Sequence, residues 1–139
     1  MKHIRCMTDP IMSSNVFFLF PLSMWLYIGF YGYTLQYVLL LCSSYMYHRS
    51  YETRYFWLDV FFGSSSIMYA IIDNWTIYDD YYTWVAILST LCYYGIMCTI
   101  CGVSTRCCKY TVVHTGWHAW VCGSSCIWAY ASGKYVGVF

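Results

Sequence analysis

Pro10-Ile-Met-Ser-Ser-Asn-Val-Phe-Phe-Leu-Phe-Pro-Leu-Ser-Met-Trp-Leu-Tyr-Ile-Gly-Phe-Tyr-Gly-Tyr-Thr-Leu-Gln-Tyr-Val-Leu-Leu-Leu-Cys-Ser-Ser-Tyr-Met-Tyr47 contains no charged residue. As one straight helix this stretch would extend ~57 Å at 1.5 Å per residue. A bilayer has a hydrocarbon core of ~30 Å, so the stretch must fold back on itself. The glycines in Ile28-Gly-Phe-Tyr-Gly-Tyr33 are the expected turn, which gives a first span near 12–28 and a second near 31–47. Further apolar runs place a third span near 55–72, a fourth near 81–101 and a fifth near 111–131. The expected fold is therefore all-α, a polytopic transmembrane helix bundle of about five spans, with residues 1–139 forming a single transmembrane domain.

Composition agrees with that reading. Of the 139 residues 60% are hydrophobic, 23% aromatic and 9% charged. A soluble domain carries roughly 25% charged residues, so this chain lacks the polar surface needed to cover a water-facing globule. Its Tyr and Trp residues suit membrane interfaces, where an apolar ring and a polar tip are both satisfied. Tyr81, Tyr82 and Trp84 read as such a belt. The net charge of +1 and the lack of a basic stripe exclude a nucleic-acid partner. The apolar run after the basic N-terminal residues is too long for a short signal h-region, so a cleavable signal peptide is not expected.

The charges sort by side. With five spans, the N-terminus and the loops at 49–54 and 104–110 share one face, which holds Lys2, Arg5, Arg49, Arg54, Arg106 and Lys109. The opposite face holds Lys134 with Asp73, Asp79 and Asp80. The positive-inside bias puts the N-terminus in the cytoplasm. Asn74-Trp75-Thr76 is an N-glycosylation pattern on the outer side, placed too near the membrane for use.

Within this apolar chain a few polar residues recur at spacings suited to one metal site. Ser44 and His48 are four apart on the second span, Asp59 lies near the start of the third, and His114 and His118 are four apart at the start of the fifth. Residues four apart share one helix face. The five-span topology brings all of them to the cytoplasmic half at similar depth. Three histidines and a carboxylate are costly in hydrocarbon unless paired, and a zinc ion is the economical partner. Three His ligands with one open position are the arrangement of a catalytic zinc, whose bound water has a pKa of about 7. Asp59 could orient that water or take its proton, and Ser44 could bond the water or a developing oxyanion. The expected activity is hydrolysis of a membrane-lipid amide or ester. Taken singly, these residues have other uses: the histidines can hydrogen-bond across helices, Asp59 can pair with Arg54, and Ser44 can serve helix packing.

The pattern Ser44-Tyr-Met-Tyr-His48, then Asp59, then His114-Thr-Gly-Trp-His118 resembles the CREST superfamily of membrane hydrolases. That group includes the alkaline ceramidases, the adiponectin-type receptors, GPI-anchor remodelling proteins and the myomaker-like proteins. Ser14-Asn15-Val-Phe-Phe-Leu-Phe-Pro21 looks like the first-helix opening of alkaline ceramidases, whereas Leu58-Asp59 with Gly63-Ser64 is closer to the GPI-remodelling and myomaker branch. The resemblance implies Zn2+ held by His48, His114 and His118, with Asp59 and Ser44 acting on its water and a membrane lipid as substrate. Family members usually have seven spans, but here one span separates the Asp59 helix from the His-x3-His helix. The parity is kept, and a second copy of the chain is the expected means of completing the wall. Two alternatives stay open: a non-catalytic relative with a structural metal clamp, and a membrane organiser or pore without metal.

Other motifs read more plainly. The nine cysteines mostly fall within the spans, Cys98-Thr-Ile-Cys101 included, and are expected to pack there as small buried hydrophobes. Cys107 and Cys108 sit among basic residues in a context suited to palmitoylation. Gly63-Ser-Ser-Ser and Gly123-Ser-Ser allow close helix approach.

Overall fold

The computed structural model describes residues 9–50, 52–101 and 110–139, and these residues are helical almost throughout, without strands. The all-α expectation is met. Helix α1 (Pro10–Ser14) passes through a 3-10 turn (Asn15–Phe18) into α2 (Leu19–Ile28). Helices α3 (Tyr31–Ser50) and α4 (Thr53–Asp73) follow, then a π-helical turn (Asn74–Tyr78), α5 (Tyr81–Cys101) and α6 (Tyr110–Tyr135). Lys2, Arg5, Arg106, Lys109, Cys107 and Cys108, on which sidedness and palmitoylation were argued, lie outside the described residues, as does the side chain of Cys101.

Local chemistry sets the breaks. Asp9 caps α1 by accepting the Ile11 amide at 2.9 Å, with Pro10 in the first turn where its missing N–H costs nothing. The 3-10 turn follows from competition for backbone carbonyls. Ser14 Oγ donates to Ile11 O, Asn15 Nδ2 donates to Ile11 O and Met12 O, and Pro21 has no amide to give to the preceding turn. At the other end of α2, Gly29 adopts φ 86°, which a side chain would resist. The amides of Gly29 and Phe30 return to Leu26 O and Trp25 O in a Schellman closure, and the chain reverses directly into α3.

Register is fixed by cross-helix pairs. Along the α3–α4 hairpin, Tyr33 meets Asp73, Gln36 meets Ser65 and Ser66, and Tyr47 meets Phe56, as antiparallel packing requires. Between α3 and α6, Tyr37 donates to Ser125 at 2.5 Å and His48 lies against His114. Both steps are eleven residues (48 − 37 and 125 − 114), close to three helical turns, so the same faces meet again. Helix α1 and the 3-10 turn lie against both α3 and α6. Trp25, Tyr33 and Trp128 form an aromatic triad with ring centroids 4.6–4.9 Å apart, away from the histidine end.

Two helical segments among the described residues, Pro10–Ile28 and Thr53–Tyr78, are long and apolar enough to cross a membrane. Helices α3, α5 and α6 have comparable lengths. The interior mixes a hydrophobic core, in which Ile11, Trp25, Leu40 and Trp128 are buried, with polar side chains, and many large apolar side chains lie outside. Gln36, Ser44, His48, Ser66, Asp73, Thr83, Thr90 and Ser132 are buried, while Phe20, Tyr27, Trp57, Phe61, Leu88 and Ile96 point outward. The cysteines correct the expectation of burial: Cys42, Cys92 and Cys98 are exposed on helix exteriors, Cys126 is half-buried and Cys122 is buried. The small-residue runs do pack helices. Ser65 and Ser66 accept from Gln36, and Ser124 and Ser125 bond Thr90 and Tyr37.

Candidate metal centre

His48 stands on the last turn of α3, and His114 and His118 on the opening turns of α6. Their side chains converge, and all three are buried, at 0%, 8% and 2% exposure. Ring centroids lie 4.6 Å apart for His48–His114, 4.7 Å for His114–His118 and 5.2 Å for His48–His118. His114 Nε2 and His48 Nε2 are 3.0 Å apart, and one nitrogen from each ring can be chosen so that all three lie within 4.8 Å of one another.

The donor set fits a metal ion. A tetrahedral ion with nitrogens at ~2.0–2.1 Å holds ligand pairs roughly 3.3–3.4 Å apart. The His48–His114 pair, at 3.0 Å, is already close to that spacing, and the triad as a whole lies within 4.8 Å, so ligation by all three draws the wider pairs inward. The three imidazoles are buried from water, and two nitrogen lone pairs that face each other repel, whereas the 3.0 Å His48–His114 contact is a hydrogen bond when one ring donates its N–H. A shared cation or shared protons resolve that conflict. The buried cluster of His48, His114 and His118 can therefore bind a metal ion.

Ser44, one turn before His48, is fully buried, and its hydroxyl makes no hydrogen bond. Asp59 on α4 is near enough to act on that hydroxyl, although the pair stops short of hydrogen-bond geometry. Asp59 itself is only partly exposed. Its suggested partner Arg54 is engaged elsewhere, with Nε 2.8 Å from Glu52 and the guanidinium over the Tyr55 ring. All five residues singled out by sequence thus lie at the same end of the bundle. Two further polar atoms, Thr115 Oγ1 beside His114 and Asn15 Oδ1 beside Ser14, are buried without a hydrogen-bond partner.

Sequence reasoning missed three supports of the site. Ser14 Oγ lies 2.8 Å from His118 Nδ1, and the Phe18 ring backs His118 at 5.2 Å. Both residues come from the broken first helix, and Ser14 appeared in the sequence only within a resemblance, without a role. The third support is Tyr93 on α5, whose hydroxyl donates to Val113 O at 3.0 Å beside His114. Gly116 makes that approach possible, because a Cβ there would fall 2.4 Å from Tyr93 Oη. No family model, no curated protein and no solved structure matches the chain.

Proposed function

We propose that the protein is an intramembrane zinc-dependent hydrolase of a lipid amide or ester, of the CREST type. One observation carries this reading. Three buried histidines from α3 and α6 converge beside a buried serine hydroxyl that has no hydrogen-bond partner, with a carboxylate next to it. A structural clamp has a use for the carboxylate as a fourth ligand but none for an idle hydroxyl, whereas hydrolysis uses both.

Zinc, when bound, supplies a Lewis acid and lowers the pKa of water at its open position. The remaining work falls to the chain. Asp59 takes the proton from the attacking water and returns it to the leaving amine or alcohol. Ser44 donates its hydrogen to the oxygen that gains charge as the carbonyl is attacked. The lipid reaches the site from the bilayer. With five helical segments crossing the membrane and the N-terminus in the cytoplasm, lipid solvates the outward apolar side chains. In that orientation Arg49 and Arg54 flank the site on the cytoplasmic side.

A second reading, a metal clamp without catalysis, is favoured by the near-complete burial of all three histidines. Structural zinc sites are closed by a fourth protein ligand, a part that Asp59 can fill. Elemental analysis of detergent-purified protein tests the first claim. Near-stoichiometric zinc in the wild type, lost in both His48→Ala and His118→Ala, supports the centre. Folded protein without metal in all three rules it out and leaves a membrane organiser or pore. Release of zinc by Asp59→Asn makes Asp59 a ligand and decides for the clamp.

A further inference from the structure

We infer that Ser14 is a positioning residue for the metal centre, fixing the tautomer of His118 from the broken first helix; this inference rests on the proposed zinc site. Ser14 is 2% exposed, and its Oγ makes two contacts, 2.8 Å to Ile11 O and 2.8 Å to His118 Nδ1. A serine hydroxyl has one hydrogen. Ile11 O can only accept, so the Ser14 hydrogen goes there. The contact with His118 is then a hydrogen bond only if Nδ1 carries its own proton and donates to Ser14 Oγ.

That assignment leaves His118 Nε2 with its lone pair, facing away from Ser14 and free for an ion. Ligating histidines commonly have their second ring nitrogen held by a hydrogen-bond acceptor, which sets both tautomer and ring angle. Here the acceptor comes from a segment 104 positions away in sequence. The local break in the first helix supplies it. The carbonyl that orients the Ser14 hydroxyl is also bonded by Asn15 Nδ2, at the start of the 3-10 turn. Phe18, at the end of that turn, packs against the His118 ring with centroids 5.2 Å apart. Metal binding withdraws electron density from the ring and strengthens its Nδ1–H donor, so occupancy of the site and docking of the first helix reinforce each other.

The test uses full-length, 15N-histidine-labelled protein in detergent, stripped of metal and then titrated with Zn2+ against a chelator of known affinity. Expected are an Nδ1–H tautomer for His118 in the metal-free wild type and a roughly 10–100-fold loss of Zn2+ affinity in Ser14→Ala. Ser14→Thr, which keeps a hydroxyl, should bind close to the wild-type level. Equal Zn2+ affinity in wild type and Ser14→Ala overturns the role of Ser14 while leaving the zinc centre standing. A wild type that takes no Zn2+ overturns the centre itself, and this inference with it. Should Ser14→Ala fail to fold, an Nε2–H tautomer in the wild type is sufficient to refute the inference.

Discussion

His48 Nε2 and His114 Nε2 lie 3.0 Å apart although 66 positions separate the residues in sequence. The Tyr37–Ser125 hydrogen bond, three turns away along the same two helices, holds the register that makes this approach possible. A slip of one residue on either helix would rotate its imidazole by ~100° out of the cluster. The histidine cluster is therefore a property of helix register as much as of the three residues themselves.

Asp59 and Ser44 are expected to separate chemistry from metal binding. Asp59→Asn should retain zinc and lower kcat by roughly 10²–10⁴-fold, the range for loss of a general base. Ser44→Ala should lower kcat by roughly 10²–10³-fold, as for an oxyanion donor. It should not lower the unfolding temperature, because the hydroxyl removed makes no hydrogen bond in the fold. Parallel assays of zinc content, thermal unfolding and turnover of labelled lipid amides and esters check all three claims.

At the far end of the bundle, Tyr33 donates to Asp73 Oδ2 at 2.5 Å, and Asp73 is buried. Tyr33→Phe strips a buried carboxyl of its donor and should cost about 1–3 kcal/mol. Zinc content should stay at the wild-type level because the pair is remote from the histidines. Loss of zinc together with stability would mean that the two ends are coupled.

Gly116→Ala places a methyl group where Tyr93 Oη lies and should displace the Tyr93–Val113 bond. The expected cost is about 1–3 kcal/mol, as for other over-packed interiors. Adding Tyr93→Phe removes the obstructing hydroxyl and should recover part of that loss, so the double variant would be more stable than Gly116→Ala alone. Strict additivity of the two substitutions in thermal unfolding would contradict the contact.

Asn74 will not carry a glycan despite its Asn-x-Thr context. Its side chain is fully buried, Nδ2 donates to Asp80 O at 3.1 Å, and Oδ1 accepts the Asp80 amide at 2.9 Å. Glycosylation would require opening the turn between α4 and α5. Intact mass after expression in a glycosylating host should equal the unmodified chain, and a glycan on Asn74 would show that the turn opens in the cell. Asn74→Ala should cost about 1–3 kcal/mol through the lost bracing of Asp80.

The helices were legible because their signals are local. The charge-free run with its central glycines set the first reversal at Gly29, and the span expected at 81–101 coincides with α5. The break at Asn15–Phe18 was not legible, since it depends on side chains that take up carbonyls in the same turn. The cysteines misled for a related reason. Small apolar residues mark interior positions in water, but on an exterior as apolar as this one they are equally at home outside.

Sequence alone determined which residues can share a helix face: Ser44 with His48, and His114 with His118, each pair one turn apart. Asp59 apart, it also confined charge to the ends of the apolar runs. Tertiary structure decided which of those faces meet. Only antiparallel packing of α3 on α6 brings His48 to His114, and only the wedge formed by the broken first helix brings Ser14 to His118. Helical periodicity acts over four residues, whereas these contacts join segments that only the packing of the whole bundle places together.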